Sequence, residues 1–242
     1  METFPDNQFK FISGEYFNTD FNFSIPGEYC DDGRLELIAN ICCKKRILHV
    51  GCTDHVLVIK NKVKEKKWLH SIIEAKADLL IGVDISRDGV IEAKKFTSTI
   101  IKQMDVTHKW YPELNDMKFD LAVFGEIIEH LDNPVSFLQS FNEMSKGHVD
   151  DILVTVPNAW KIRGILHTIR YNSELINTDH RFWFTPFTIT KVLYRSGWRV
   201  KQIIYVDGDI KRKKGISNLI LRNILKRKPY LAGNIVIQAE RM

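Results

Sequence analysis

The stretch Arg46-Ile-Leu-His-Val-Gly-Cys-Thr-Asp-His55 passes from an apolar strand pattern into a glycine and then into polar residues. Ile47, Leu48 and Val50 suit a buried parallel strand, and Gly51 lets the backbone approach a ligand closely where that strand ends. Ligands of open α/β sheets bind at the carboxyl ends of the strands, so later strands should contribute to the same place. An ordinary turn between a strand and a helix has the same pattern, so the stretch predicts the strand and leaves the site open.

Strand and helix patterns alternate along the rest of the chain. Six further strands are predicted at residues 78–85, 99–104, 118–124, 151–156, 198–206 and 231–239. Helices are predicted at 35–41 after the capping residues Asp31 and Asp32, around Trp68, from Pro134 after Asp132 or Asn133, and from Pro186 after Thr185. This alternation indicates the α/β class, with a parallel sheet covered by helices on both faces.

The composition indicates one globular domain. The 242 residues are 44% hydrophobic and 27% charged, which is ordinary for a globular protein. The sequence has no leader pattern and no apolar run of about 18 residues, so we expect a cytoplasmic protein without a transmembrane segment. Cys30, Cys42, Cys43 and Cys52 form no Cys-x-x-Cys pair, so reduced thiols are expected and no metal site is predicted.

The chain divides into an N-terminal stretch and a main domain. Residues 1–30 are rich in Phe, Asn, Asp and Gly without a sustained period, which predicts an irregular arm or lid before the main domain at 31–242. Residues 60–67 are expected to be an inserted lysine-rich loop. Residues 158–180 have helical spacing and lie where a cover over a substrate would be, although surface packing has the same pattern. A basic segment occupies 208–229.

Two aspartates stand at the ends of predicted strands. Asp84 ends the second strand, where a carboxylate can accept hydrogen bonds from both hydroxyls of a ribose. Asp105 ends the third strand. The 33 residues from Gly51 to Asp84 exceed the usual separation of about 20, which is why an inserted loop is predicted between them. Each aspartate could instead cap the turn that follows it.

Two later blocks carry a resemblance to a known family. They are Phe119-Asp-Leu-Ala-Val-Phe-Gly-Glu-Ile-Ile-Glu-His-Leu-Asp-Asn-Pro134, and His180-Arg-Phe-Trp-Phe-Thr-Pro186 with Ser196-Gly-Trp198. With the first strand, they resemble class I S-adenosylmethionine-dependent methyltransferases over residues 35–239. The resemblance implies a Rossmann-like sheet of seven strands in the order 3-2-1-4-5-7-6, with strand 7 antiparallel, and S-adenosylmethionine as cofactor.

The resemblance also implies which residues contact the cofactor. Gly51 and Cys52 would approach its methionyl part, Asp84 its ribose, and Ile85 the face of its adenine. Asp105 would bind the adenine amino group, with Val106 beside it. Gly125 and Glu126 would border the cofactor below the fourth strand.

The first motif departs from the family pattern. The family usually has an acidic residue two positions before the first glycine and two more glycines in the turn, whereas this chain has His49, Thr53 and His55. Side chains restrict φ and the approach of the backbone, so the turn should curve differently. His49 cannot act as the carboxylate that commonly supports the amino group of the methionine.

The candidate catalytic residues are His130, Glu126 and His180. Methyl transfer needs in-line positioning and, for a hydroxyl acceptor, one base. If residues 126–130 form a helical turn, Glu126 and His130 lie on one face at i and i+4, and histidine is suited to accept a proton near neutral pH. His130 could instead make a structural hydrogen bond. His180 precedes an aromatic run that is either a pocket wall or core, and Glu129 is interpreted as solvated.

The sequence therefore favours methyl transfer to a small molecule, such as a sugar or another biosynthetic intermediate with a hydroxyl group. A nicotinamide oxidoreductase is disfavoured because the turn after Gly51 lacks the three-glycine fingerprint. The alternative is a noncatalytic member of the same fold that binds the cofactor or a partner.

The late basic segment predicts contact with an anionic surface. Its apolar residues have the spacing of one helical stripe. A helix packed on the sheet edge with solvated charges explains the same pattern. The absence of interleaved aromatic residues argues against nucleic acid. The basic residues are Lys211, Arg212, Lys213, Lys214, Arg222, Lys226, Arg227 and Lys228.

Overall fold

The computed structural model describes residues 6–108, 110, 112–209 and 215–242, and a single mixed β-sheet lies at its centre. Alternate residues of the central strands enter cores on opposite faces of this sheet. Leu48 and Val50 are part of one buried cluster, whereas Ile47 is part of another. Successive side chains of a strand point to opposite faces, so two apolar faces require cover on both sides.

Eight strands and nine α-helices are assigned within the described residues. The strands are β1 (Glu28–Cys30), β2 (Arg46–Val50), β3 (Leu79–Asp84), β4 (Ile100–Gln103), β5 (Leu121–Gly125), β6 (Asp151–Pro157), β7 (Trp198–Val206) and β8 (Asn234–Arg241). The helices are α1 (Asp6–Ser13), α2 (Arg34–Ile41), α3 (Val56–Lys64), α4 (Leu69–Glu74), α5 (Arg87–Ala93), α6 (Pro134–Met144), α7 (Ile162–Tyr171), α8 (Pro186–Arg195) and α9 (Ile216–Arg227).

The sheet order is β1-β7-β8-β6-β5-β2-β3-β4, and β8 is antiparallel to both of its neighbours. The α/β class and the mostly parallel sheet are confirmed. The predicted count of seven strands was wrong, and the full order differs from the expected one because β1 adds an edge strand parallel to β7. Numbered without β1, the seven predicted strands lie in the order 3-2-1-4-5-7-6.

The N-terminal stretch is more regular than its composition suggested. Helix α1 packs against α8, with the Phe9 and Tyr194 rings 5.0 Å apart. Ile12 is fully buried in the main core. The interpretation of residues 1–30 as irregular was wrong for these elements, because aromatic side chains without a helical period still find partners on a neighbouring helix. Their role as an arm or lid stays a prediction.

Two other local predictions were wrong. The predicted lysine-rich loop at 60–67 begins inside helix α3, which Asn61, Lys62 and Lys64 extend. The N-cap position of helix α2 is occupied by Gly33, not by either of the predicted aspartates. The caps at Asn133 and Thr185 are confirmed, since each side chain accepts a hydrogen bond from the backbone N–H three residues later.

Candidate cofactor and substrate site

A cavity of about 800 Å³ opens at the carboxyl ends of β2, β3 and β5. Strands β2 and β5 are adjacent although they are not consecutive, so the chain order reverses between them. Such a point leaves a crevice above the sheet. None of the described residues before Arg34 lines this cavity. The predicted residues that line it are Gly51, Cys52, Asp84, Ile85, Asp105, Val106, Gly125, Glu126, His130 and His180.

The first turn is built on a glycine and a threonine. Gly51 has φ +64 and its N–H donates to the carbonyl of Val83 at 2.8 Å. A Cβ at Gly51 would lie 2.4 Å from the Cδ1 of Ile127, so the turn requires glycine there. Thr53 stands where the family has a second glycine, and its hydroxyl and N–H both donate to the carboxylate of Asp84. The turn therefore closes onto Asp84.

Asp84 is oriented by three hydrogen bonds. Its Oδ2 accepts from the N–H and hydroxyl of Thr53 at 3.1 and 2.8 Å, and its Oδ1 accepts from the N–H of Ser86 at 2.9 Å. The capping interaction that was the alternative reading is therefore present. A carboxylate has about four lone-pair sites, so the capping bonds leave capacity for a ligand hydroxyl. The ribose contact stays a prediction.

Asp105 follows β4 and caps the next turn in the same way. Its Oδ1 accepts from the N–H and hydroxyl of Thr107, and its Oδ2 lies 3.0 Å from the Nδ1 of His108. Burial acts to raise the pKa of Asp105, but the hydrogen bonds from Thr107 and the charge of His108 outweigh it and lower that pKa. The group is thus an ionised acceptor near neutral pH, and its contact with adenine stays a prediction.

Two apolar residues follow Asp84 and Asp105 in the cavity wall. Ile85 is 69% exposed although it directly follows β3, whereas Val106 is buried. A large exposed aliphatic side chain in a cavity offers a flat contact for an aromatic ring. Their contact with the cofactor, which the resemblance implied, stays a prediction.

His49 forms a buried pair with His70. Their Nδ1 atoms lie 3.1 Å apart, and the Nε2 of His70 lies 2.7 Å from the hydroxyl of Thr99. Burial, and then the charge of His70, lowers the pKa of His49 well below its usual value, and burial lowers the pKa of His70 to about 4. Both rings are neutral near pH 7. The acidic residue of the family is therefore replaced by a neutral hydrogen-bonded pair.

The wall below β5 carries two carboxylates around the buried side chain of Arg34. Glu126 has φ +58, and its side chain accepts a hydrogen bond from Asn234 at 2.6 Å. Arg34 is buried between Asp209, at 2.6 Å, and Glu126, at 3.6 Å. Burial alone would lower the pKa of Arg34, but the charges of Glu126 and Asp209 outweigh it and raise that pKa. A residue with a side chain at positive φ is uncommon and occurs preferentially at functional sites.

The predicted helical turn over residues 126–130 was wrong. Only Ile128–His130 form a short 3₁₀ turn, and Glu126 lies outside it because its φ is positive. Glu126 and His130 nevertheless both line the cavity. The Nδ1–H of His130 donates to the carbonyl of Asp179 at 3.1 Å, so the structural hydrogen bond is present as well.

Glu129 is the largest departure from the sequence interpretation. It was expected to be solvated, but it is fully buried in the core of the molecule. Burial, and then the charge of Glu126, raises the pKa of Glu129 to about 8. The ring of His180 lies beside it, with Nε2 at 4.0 Å from Oε1 of Glu129 and with its centroid 4.7 Å from that of His130.

Arg34 and Glu129 are the site residues that the sequence interpretation missed. Arg34 is an arginine at the start of an amphipathic helix, a place where arginine is usually solvated. Glu129 is one of two carboxylates three residues apart, and that spacing alone does not say which one faces inward. One sequence feature could have revealed Glu129: it directly precedes His130 in the block that resembles the methyltransferase family.

The cysteines do not enter this chemistry. None of the four cysteines forms a disulfide within the described residues. Burial, and then the charge of Asp84, raises the pKa of the Cys52 thiol, so Cys52 contributes its backbone to the first turn. The pKa of Cys42 is raised to about 12 by burial.

The basic segment is described only in part. Residues 211–214 lie outside the described residues, and α9 confirms the predicted helix after them. Leu225 of α9 is buried, and Arg222 is paired with Asp31. Leu219 and Ile220 are exposed. The helix therefore packs on the molecule through one part of its stripe, and its contact with an anionic surface stays a prediction. No helix among the described residues is long and apolar enough to cross a membrane.

The sequence matches a family described as methyltransferase domain over residues 24–203. Because this match covers well over half of the chain, the protein belongs to that family. The cofactor of the family is S-adenosylmethionine. The resemblance to class I methyltransferases is thereby confirmed. A comparison with curated protein sequences found no match.

Solved structures share the fold at low sequence identity. The small RNA methyltransferase HEN1 is 15% identical, with a TM-score of 0.52 over 86% of this chain and 25% of that chain. The methyltransferase domain of bacterial CtHen1-C is 17% identical, with a TM-score of 0.52 over 86% and 97% of the two chains. A SAM-dependent methyltransferase from Archaeoglobus fulgidus is 19% identical, with a TM-score of 0.47 over 86% and 95%. The first two comparisons establish the fold, and the chain spans a quarter of HEN1.

Proposed function

We propose that the protein transfers the methyl group of S-adenosylmethionine to a hydroxyl of a small molecule, such as a sugar or another biosynthetic intermediate. The observation that carries this proposal is one cavity wall with a ribose-competent carboxylate, Asp84, and an imidazole, His130. The two groups suit the two halves of the reaction, since one can hold the cofactor and the other can accept the proton of the acceptor.

The cofactor half is supported by the order of groups along the sheet edge. Asp84 has free acceptor capacity for the ribose hydroxyls. The exposed side chain of Ile85 lies next to it and suits the adenine face, and Asp105 is an acceptor for the adenine amino group. Val106 and the cavity wall at Gly125 complete this part of the pocket.

The part of the cavity that we assign to the methionyl group has charged partners for both its carboxylate and its ammonium group. The guanidinium of Arg34 can bind a carboxylate, and the carboxylates of Glu126 and Asp209 can bind an ammonium group. All three residues line the cavity with Gly51 and Cys52. This arrangement compensates for the neutral His49, because a carboxylate for the amino group is supplied from below β5 instead of from β2.

The catalytic half depends on positioning and on one base. Holding the acceptor oxygen in line with the methyl carbon is worth about 7 to 11 kcal/mol in favourable cases. The Nδ1 of His130 carries a proton because it donates to a carbonyl, so Nε2 keeps the basic lone pair. Nε2 of His130 would accept the proton of the acceptor hydroxyl, and bound S-adenosylmethionine would supply the methyl group from a sulfonium whose sulfur is the leaving group. Glu126 and His180 flank this path.

Titration calorimetry with S-adenosylmethionine and S-adenosylhomocysteine tests the cofactor half. Asp84→Asn should weaken binding by about 1.5 to 3 kcal/mol for each charge-assisted hydrogen bond that is lost, or roughly tenfold to a hundredfold. Asp116→Asn is the matched control, because Asp116 is exposed and does not line the cavity. An unchanged dissociation constant in folded Asp84→Asn protein would remove Asp84 from the site.

The noncatalytic alternative is favoured by one observation, the occupation of Asp84 by Thr53 in the first turn. A protein that binds neither form of the cofactor in calorimetry would support it. HEN1 is a small RNA methyltransferase, so the transfer assay should include a short RNA beside hydroxylated small molecules. Labelling of the RNA alone would overturn the small-molecule proposal.

Anionic-surface contact through the basic residues of α9 has a separate test. Each basic residue near an anionic membrane contributes about 1 kcal/mol at low salt. Replacing Lys226, Arg227 and Lys228 by serine should therefore reduce co-sedimentation with anionic vesicles. Neutral vesicles are the control, and equal recovery from both would leave α9 as a helix with solvated charges.

A further inference from the structure

We propose that Glu129, His130 and His180 form a binding site for one divalent transition-metal ion in the wall of the cavity. A carboxylate oxygen of Glu129 and one ring nitrogen of each histidine all lie within 4.8 Å of one another. Ligand atoms at about 2.1 Å from a metal ion are separated by roughly 3 to 4 Å from each other. Small rotations of these side chains would therefore close a shell of three ligands.

The strongest support is the buried carboxyl group of Glu129. Glu129 is 0% exposed, and in the part of the chain that the structure describes neither of its carboxylate oxygens has a hydrogen-bond partner. Nε2 of His180, at 4.0 Å, is beyond hydrogen-bond distance. Protonation would remove the charge but would leave the new O–H group without an acceptor. A cation would satisfy both oxygens, and it would also relieve the repulsion between Glu129 and Glu126.

The two imidazoles are prepared for ligation. His130 donates its Nδ1–H to the carbonyl of Asp179 at 3.1 Å, and metal-binding histidines almost always donate their second ring nitrogen in this way. The Nδ1 of His180 is buried without a partner among the described residues.

The donor set indicates the class of ion. Two imidazole nitrogens with one carboxylate oxygen suit Zn²⁺, Mn²⁺ and similar ions, whereas Mg²⁺ and Ca²⁺ prefer oxygen ligands. Three protein ligands leave further positions for water or for an oxygen of a bound molecule. His130 and His180 line the cavity, so those positions would face the place where an acceptor binds.

One ligand of the proposed metal site, His130, is also the base of the proposed function, and the metal site therefore rests in part on the same residue. An ion bound to Nε2 of His130 would occupy the basic lone pair, so the base role applies to the protein without the ion. Metal binding is measured without methyl transfer, and cofactor binding is measured at Asp84. Failure of one proposal is therefore distinguishable from failure of the other.

The experiment titrates the chelator-treated full chain with Mn²⁺, with free Mn²⁺ followed by electron paramagnetic resonance. Zn²⁺ is titrated against a chromophoric chelator, and Mg²⁺ is added as a competitor. We expect one ion per chain, and we expect Glu129→Gln and His180→Ala to weaken binding at least about tenfold. Mg²⁺ should displace Mn²⁺ only at a concentration at least about ten times higher.

Two variants serve as matched controls, and thermal unfolding checks the fold of every protein. Asp132→Asn removes an exposed carboxylate near the cluster, and His167→Ala removes a partly exposed imidazole on α7 that does not line the cavity. Both should bind Mn²⁺ as the unchanged protein does. The proposal is overturned if folded Glu129→Gln and His180→Ala bind Mn²⁺ with unchanged affinity, if neither Mn²⁺ nor Zn²⁺ binds, or if Mg²⁺ competes equally.

Discussion

Asp84 and Glu129 are both acidic residues, but the surroundings of their carboxyl groups are opposite. Asp84 accepts three hydrogen bonds from the turn that follows β3 and from the first turn of the cavity. Glu129 is fully buried, and within the described part of the chain its carboxylate accepts none. The described part of the chain thus supplies hydrogen-bond donors to the carboxylate of Asp84 and none to that of Glu129.

This difference indicates two kinds of binding. A carboxylate that is already oriented by hydrogen-bond donors can accept further hydrogen bonds from neutral hydroxyls with little additional loss of conformational entropy. A buried carboxyl group without donors favours a cation, because the cation would stabilise the ionised form that burial disfavours. We therefore connect the Asp84 region with the cofactor and the Glu129 region with an ion and the acceptor.

The largest expected effect is a loss of turnover when His130, which directly follows Glu129, is replaced by alanine. His130→Ala removes either the base or a metal ligand, and loss of a general base typically costs about 10² to 10⁴-fold in rate. Affinity for S-adenosylmethionine should change little, because His130 is remote in sequence from the carboxylates at the strand ends. The measurement compares turnover with the calorimetric dissociation constant.

His167→Ala is the control for that comparison, since His167 is a partly exposed residue of α7 that hydrogen-bonds to Ser173 and does not line the cavity. It should keep full turnover. If His130→Ala also kept full turnover across a pH series, the two regions would not differ in their catalytic roles. Positioning of the acceptor would then be the main catalytic device.

The second-largest expected effect is on the free energy of unfolding of Glu129→Gln, measured in the presence of a chelator. The pKa of Glu129 is about 8 in the folded protein, against an ordinary value of 4.5. Between these values the folded state binds more protons than the unfolded state, so the free energy of unfolding falls as pH rises through this window. Each pKa unit corresponds to about 1.4 kcal/mol, so Glu129→Gln should be more stable than the unchanged protein at pH 8.5 by at most a few kcal/mol.

Urea unfolding at pH 5 and pH 8.5 measures this difference. The advantage of Glu129→Gln should be small at pH 5 and larger at pH 8.5, and saturating Zn²⁺ should reduce it by stabilising the unchanged protein. Asp132→Asn should follow the unchanged protein at both pH values, because Asp132 is exposed. Parallel pH dependences for Glu129→Gln and the unchanged protein would mean that Glu129 has a partner after all.

The two regions also differ in how far the sequence predicts them. Asp84 ends a strand that a continuous apolar run reveals, so its position at the carboxyl end of the strand could be derived from the pattern alone. The central strands are predictable for the same reason, whereas β1 is too short to have a detectable period. The arrangement of residues 126–130 was not predictable, because it depends on a positive φ at Glu126 that no local preference indicates.

The smallest expected effect concerns Thr53 and tests how the Asp84 region is held. Thr53→Val removes the hydroxyl that lies 2.8 Å from Oδ2 of Asp84 and keeps the backbone N–H at 3.1 Å. A typical hydrogen bond contributes about 0.5 to 1.5 kcal/mol, so the dissociation constant for S-adenosylmethionine should rise about twofold to tenfold. The matched control is Thr97→Val, because the Thr97 hydroxyl donates to Glu74 at 2.7 Å outside the cavity. Thr97→Val should leave affinity unchanged even if it lowers stability. Tighter binding by Thr53→Val would instead show that Thr53 competes with the ribose for Asp84, and the first turn would then favour the noncatalytic alternative.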